Sequence, residues 1–272
     1  MRLLPTSGPA VWALDLDGTL LGPDHRLHPD TLDALVRAHD LGVHVVIATG
    51  RIRAATAPVL DALPFVPWVV CCGGQTVIAP GEAPQVTARI HAEHVADVLR
   101  RATPFADVAV QLYWPAHQAM WRSNDAGEHL ERSEGLTFER LATLPDPVPD
   151  ELIKIVLTAH DQAALQLDGA FRGALPYSYT PTGARYRDVL PRGVDKGAAL
   201  DRVLARTGWP ADRVLVAGDN ANDVPMFQRA RWRLAVGERC PALVALATER
   251  VATNEGGAVG RALSAWLDRS DR

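Results

Sequence analysis

No stretch constrains this chain more than Val11-Trp12-Ala13-Leu14-Asp15-Leu16-Asp17-Gly18-Thr19-Leu20. A short apolar run stops abruptly at two aspartates one residue apart. Runs this short and this apolar suit a strand buried on both faces, as in a parallel sheet. Side chains two apart on a strand point the same way, so Asp15 and Asp17 can face one small volume at its carboxyl end. Gly18 permits a sharp turn there. Two like charges this close repel unless a cation or a shared proton intervenes. A solvated Asp-Gly turn is the plain alternative.

The pattern then recurs along the chain. A polar loop covers 22–28, and Pro29 opens a helix, where its missing N–H costs nothing. Leu32, Leu35, Val36 and His39 suggest an inward stripe, and Gly42 a stop. Residues 43–48 read as a second buried strand ending in Thr49-Gly50-Arg51. A helix over 52–63 and a strand over 68–72, ending in Gly73-Gly74, complete β-α-β-α-β. This order predicts an α/β fold, a doubly wound parallel sheet with right-handed crossovers. Residues 82–187 are less regular. A helix is expected over 91–102 and strands over 107–114, 117–122, 152–158 and 184–189. Pro145, Pro147 and Pro149 mark a stiff connection. Mixed elements inside an alternating chain indicate an inserted α+β domain. Alternation resumes with a helix over 196–206 and an apolar strand over 214–217 that ends in Gly218-Asp219-Asn220-Ala221-Asn222-Asp223. The last two strands are expected over 234–236 and 251–253. The reading is a discontinuous core, 1–81 and 188–272, with residues 82–187 looped out as a second domain.

Composition sets limits. The 272 residues suffice for one large or two medium domains. A hydrophobic share of 47% with 22% charged residues fits a soluble globular protein. The net charge of −4 argues against a nucleic-acid binder held by bulk electrostatics. Cys71, Cys72 and Cys240 form neither a disulfide framework nor a zinc spacing. No apolar run reaches membrane-spanning length. Residues 1–9 lack the apolar core of a secretory signal, so a cytoplasmic setting is expected. There is no internal repeat.

Three core strands end in oxygen donors: Asp15 with Asp17, Thr49, and Asp219 with Asp223. In an open parallel sheet, ligands bind outside the carboxyl ends of the strands, so these groups should converge. Carboxylates without neighbouring histidines or thiolates suit a hard cation, Mg²⁺ first. Thr49, the backbone amides of Gly50 and Arg51, and the cation Lys196 would complete a phosphate cradle. An EF-hand also begins with alternating acids, but its third acidic position and terminal glutamate are missing. Lys196 is one of only two lysines, beside Lys154, in an arginine-rich chain. It stands at a helix entrance, where the dipole disfavours cations, so helix stability does not explain it.

Together these residues resemble the haloacid dehalogenase superfamily of phosphatases. Asp15-Leu16-Asp17-Gly18-Thr19 looks like its first motif and Ala48-Thr49-Gly50-Arg51 like its second. Gly193-Val194-Asp195-Lys196-Gly197 looks like its third, and Gly218-Asp219-Asn220-Ala221-Asn222-Asp223 opens the fourth. The long insert between the second and third is similar to the Cof-type subfamily, which carries a large α/β cap there. The resemblance implies that Asp15 is the nucleophile and forms an aspartyl-phosphate. It implies that Asp17 protonates the leaving alcohol and then activates water. Asp15, the backbone carbonyl of Asp17, and Asp219 would hold Mg²⁺, with Asp223 in support. Thr49, Lys196 and Asn222 would hold the phosphoryl group. Where such proteins usually have Asn-Gly-Ala after the third strand, this chain has Cys72-Gly73-Gly74.

The resulting reading is a Mg²⁺-dependent phosphatase acting on a small phosphate monoester, a sugar phosphate or related metabolite. It is expected as a monomer or weak homo-oligomer. A phosphotransferase or mutase using the same intermediate is the runner-up. A receiver module and a non-catalytic metabolite sensor are less consistent with the second acid and the insert. Within the insert, Trp114, Trp121, Tyr177 and Tyr179 could stack on substrate or simply fill a core. Lys154, Arg185 and Arg187 could face an acidic substrate or solvent, and His28 and His39 read as structural or exposed.

Overall fold

The computed structural model describes residues 8–147 and 150–270. Pro149 and most of the 1–9 segment lie outside the described residues. The chain divides into two compact units. One runs to Gln85 and resumes at Asp195; the other is Val86–Val194.

The first unit begins with β1 (Val11–Leu14), α1 (Pro29–Asp40), β2 (His44–Ala48), α2 (Arg53–Leu60), β3 (Trp68–Cys71), β4 (Thr76–Ile78) and β5 (Gln85–Val86). The second unit holds α3 (Ala92–Ala102), β6 (Ala109–Tyr113), β7 (Gln118–Trp121), α4 (Asp125–Glu134), β8 (Glu139–Leu141), β9 (Lys154–Thr158), α5 (Asp161–Ala170), β10 (Tyr177–Pro181) and β11 (Tyr186–Pro191). The first unit then resumes with α6 (Lys196–Thr207), β12 (Val214–Gly218), α7 (Val224–Phe227), β13 (Trp232–Val236), α8 (Pro241–Leu246), β14 (Glu249–Val251) and α9 (Ala258–Ser270).

The first unit's sheet has the order β14-β13-β12-β1-β2-β3-β4-β5. The strands from β14 to β3 are parallel, and β4 turns back antiparallel against β3. Strand order runs outward from β1 to β3, then restarts at β12 on β1's other side. The switch point therefore lies between β1 and β12, where Val11 pairs with Val214 and Leu14 with Ala217. Both faces are buried, which is why these strands read as unbroken apolar runs. Val11, Ala13, Val46, Val214 and Val216 pack with Leu200 and Val203 of α6 and Phe227 of α7. Trp12, Leu14, Ile47 and Leu215 alternate to the other face and are equally buried. Each such side chain contributes about 1.5–3 kcal/mol on burial.

The unit boundaries differ from the expected 81/82 and 187/188. β11 pairs with β10 and β9 inside the second sheet, so a cut at 188 would split a strand. β5 likewise carries the first sheet past residue 81. The inward face of α1 also differs from the expected stripe. Thr31, Ala34, Leu35 and Ala38 are buried, whereas His39 is exposed and stacks on Phe65. Small residues let α1 approach α9 closely: any side chain at Gly260 would strike the Asp30–Thr31 backbone.

The second unit is a six-stranded sheet, β10-β11-β9-β6-β7-β8, with its own core. Val110, Leu112, Ile155, Leu157 and Val189 pack with Val95 and Leu99 of α3 and Leu167 of α5. Tyr177 donates to Asp97 at 2.6 Å and Tyr179 to Asp168 at 2.7 Å. Trp114 and Trp121 pack partly buried against the same core, so all four aromatics serve packing within this unit. Arg187 also grips Asp168, at 2.7 and 2.9 Å. Lys154 faces neither solvent nor an open surface: it is buried against Asp188 at 2.9 Å.

Candidate active site

Four loops meet at the carboxyl ends of β1, β2, β3 and β12. Asp15 follows β1 directly, and its N–H donates to Ala217 of β12 at 3.1 Å. Gly18 turns the chain with φ +78°, and any side chain there would strike the Asp219 carboxylate. Glycine at 18 is thus required both by conformation and by close approach. On the other side of the switch point, Asp223 folds back under the β12 loop. Its Oδ2 accepts from the N–H groups of Asp219 and Asn220, each at 3.1 Å.

Lys196 enters from α6. Asp195 caps that helix by accepting from Ala198 N at 2.7 Å, which leaves Lys196 as the first helical residue. The side chain is fully buried. Its Nζ donates to Asp15 Oδ1 at 2.5 Å and to Asp223 Oδ1 at 2.7 Å. Asp15, Asp219 and Asp223 each place a carboxylate oxygen within 4.8 Å of the others. Three buried carboxylates therefore share one ammonium.

The electrostatics follow from that imbalance. Burial, then the neighbouring Asp223 and Asp219, push the Asp15 carboxyl well above its usual range despite Lys196. Burial and Asp223 likewise push Asp219 up to about 7. For Lys196, burial alone would favour the neutral amine, but Asp15 and Asp223 outweigh it and hold the ammonium charged. Excess negative charge in a buried oxygen-only donor set fits a hard divalent cation.

Thr49 is fully buried after β2. Its Oγ1 accepts from the Arg51 N–H at 3.1 Å. The Arg51 amide, expected to face a phosphate, is instead engaged within its own turn, a common habit of threonine two residues upstream. Gly50 lies between them, half-buried. The β3 loop braces this turn: Cys72 N donates to Arg51 O at 2.8 Å and Gly73 N to Thr49 O at 2.9 Å. Cys72 adopts φ +52°, a conformation asparagine tolerates better. Its side chain is buried.

Asp17 stands apart from the three acids. Its carboxylate is paired with the Arg51 side chain, Nε to Oδ2 at 2.7 Å and Nη2 to Oδ1 at 2.5 Å. Among the described residues, the acidic cluster excludes the Asp17 carboxylate, so only its backbone could serve a metal there. Asn222 sits in the turn before Asp223, partly exposed. Sequence reasoning missed the Arg51 side chain and His25, whose Nδ1 lies 3.2 Å from Arg51 Nη2. An ion pair between positions 17 and 51 leaves no periodic signal.

The sequence model for haloacid dehalogenase-like hydrolases matches residues 12–263, across both units. The chain belongs to the haloacid dehalogenase-like hydrolases. It is a phosphatase of that superfamily. It is 29% identical over 255 residues to the pyridoxal phosphate phosphatase YbhA of Escherichia coli K12, covering 90% of this chain and 93% of that protein. The 5-amino-6-(5-phospho-D-ribitylamino)uracil phosphatase YitU of Bacillus subtilis is 24% identical, over 95% and 98% of the two chains. Among solved structures, a haloacid dehalogenase-like hydrolase from Bacteroides thetaiotaomicron superposes with a TM-score of 0.81 at 18% identity, over 94% and 99%. A subclass IIB sugar phosphatase of the superfamily gives 0.82 at 18%, over 94% and 98%. This hydrolase shares their fold. Among its described residues, no helix is long and apolar enough to cross a membrane.

Proposed function

We propose that this phosphatase is Mg²⁺-dependent and hydrolyses a sugar phosphate or related metabolite through an aspartyl-phosphate on Asp15. The observation that carries the proposal is the Lys196 ammonium between Asp15 and Asp223 within a cluster of three buried carboxylates. Asp15, Asp219 and the Asp17 backbone carbonyl would hold Mg²⁺, with Asp223 in support. When bound, the cation offsets the repulsion between carboxylate and phosphate and stabilises charge on the transferring group.

The chain's own residues do the rest. Lys196 holds Asp15 in place and supplies positive charge beside the phosphoryl oxygens. Thr49 offers its hydroxyl, and Asn222 its amide, to the same oxygens. In the first half-reaction, Asp15 attacks phosphorus as the ester P–O bond breaks, and the Asp17 carboxyl proton passes to the departing oxygen. In the second, water attacks phosphorus, its proton passes to Asp17, and the bond to Asp15 breaks.

The named substrates of the two relatives, pyridoxal phosphate and a phosphoribitylamino-uracil, belong beside sugar phosphates in a substrate screen. Residues 86–194 are assigned the choice among them. None of Cys71, Cys72 and Cys240 forms a disulfide, which supports a cytoplasmic setting. The test is hydrolysis of a panel of phosphorylated metabolites by wild type and Asp15→Asn. Release of phosphate by wild type alone is expected. Equal release by Asp15→Asn would overturn the covalent route.

A further inference from the structure

We infer that Arg239 selects substrates that carry a second anionic group, a phosphate or a carboxylate, besides the ester phosphate; this deepens the proposed function and rests on its reading of Asp15 as the point of phosphoryl transfer. Arg239 belongs to the loop between β13 and α8. The parallel register sets Gly218 of β12 against Ala235 of β13, so Asp219 and this loop leave the sheet at the same edge. The loop is short and pinned at both ends. Gly237 N donates to Val251 O at 2.9 Å, and Cys240 O accepts from Leu243 N and Val244 N at 3.1 and 3.0 Å. Glu238 and Arg239 are the exposed residues between the pins. The Arg239 charge reaches the site: it lowers the Asp219 pKa, against the larger upward push of burial and Asp223.

The guanidinium is uncommitted. Among the described residues Arg239 makes no ion pair or side-chain hydrogen bond, whereas Arg229 and Arg269 of the same unit pair with Asp201 and Glu249. It is also offset from the chemistry. β13 stands two strands from β1 in the order β13-β12-β1. At about 4.8 Å per strand, the base of the loop lies roughly 10 Å to one side of the end of β1. The transferring phosphoryl group already has Lys196, Thr49 and Asn222 in the proposed function. A cation at that offset meets a different part of the substrate, several bonds from the ester. Arginine suits the task, because its planar fork binds phosphate and carboxylate oxygens in pairs. An uncharged substrate tail gives it nothing to pair with.

The test uses two matched pairs of esters: fructose 6-phosphate with fructose 1,6-bisphosphate, and glycerol 3-phosphate with 3-phosphoglycerate. The second member of each pair carries one more anion, a phosphate in the first pair and a carboxylate in the second. Wild type should show the higher kcat/KM for the more charged member of at least one pair, and the pair that shows it names the anion. In Arg239→Gln that preference should fall about tenfold, the scale of one hydrogen-bonded charge pair, with the loss in KM rather than kcat. Glu238→Gln, on the same loop, should keep the preference. No preference in wild type, a preference kept in Arg239→Gln, or an equal loss on both members of a pair would overturn the inference and leave the phosphatase reading standing. A loss of preference matched by Glu238→Gln would overturn it too, as a general effect of the loop. Wild type inactive on all four esters would reject small sugar phosphates as substrates, and the inference with them.

Discussion

The two lysines of this chain are both buried, and they are buried differently. Lys154, between strands of the second unit, meets one carboxylate, Asp188, at 2.9 Å, and each side chain is 8% exposed. Lys196, at the head of α6, meets Asp15 and Asp223 at 2.5 and 2.7 Å, with Asp219 alongside. The first arrangement matches one charge with one charge and leaves little for a ligand to add. The second leaves carboxylates in excess, which protons or a cation must offset. Burial of a charge is common to both, so burial alone does not mark a functional site. The imbalance does.

The largest test of that contrast is Asp15→Asn. It should abolish turnover, because the nucleophile is gone. It should not destabilise the fold, because one of three mutually repelling carboxylates is gone too. Steady-state kinetics beside a thermal melt checks both halves. Lys154→Met should do the reverse. Stranding Asp188 should cost about 3–5 kcal/mol, the usual result of removing one partner of a buried pair. Hydrolysis of p-nitrophenyl phosphate per folded molecule should stay near wild type. A collapse of that activity in folded Lys154→Met would erase the distinction between the two lysines.

Lys196→Arg comes next. Formal charge is kept, but a planar fork replaces a compact point charge in a space bounded by Asp15 and Asp223. Misplacing the reacting groups by about 1 Å costs on the order of 10²-fold, so kcat should fall by about that factor. Near-wild-type kcat in the variant would show that charge alone matters at this position.

These residues also show what the sequence could reveal. Asp15, Thr49, Lys196 and Asp219 were legible because each ends a strand or opens a helix, and local pattern locates such places. The parallel core was legible for the same reason: strands buried on both faces are short unbroken apolar runs. α4 was not, because Ala126 and Gly127 are its only buried residues and give no apolar stripe. The α1 face was misphased because alanines and a threonine, rather than large residues, pack against α9. Arg51 was read as a backbone donor, and its side chain's pairing with Asp17 is a long-range contact that no spacing encodes.

A smaller effect sharpens the imbalance through pH. Burial and Asp223 raise the Asp219 pKa to about 7 without a metal, against an ordinary value near 3.8. A carboxyl with a raised pKa holds its proton more tightly folded than unfolded, so its contribution to metal-free stability is lost as pH rises toward 7. A divalent cation needs the carboxylate and displaces that proton. Mg²⁺ should therefore raise the melting temperature more at pH 8 than at pH 6, with affinity falling up to about tenfold per pH unit below 7. A Mg²⁺ shift that is the same at both pH values would separate Asp219 from the cation.

The most direct test of the unbalanced cluster is the hydrolysis rate of p-nitrophenyl phosphate as a function of free Mg²⁺. Wild type should show no rate in excess chelator, a saturable rise as Mg²⁺ is added, and a right-shifted rise in Asp219→Asn. A full rate in chelator would contradict a site built by three carboxylates around one lysine to receive a cation.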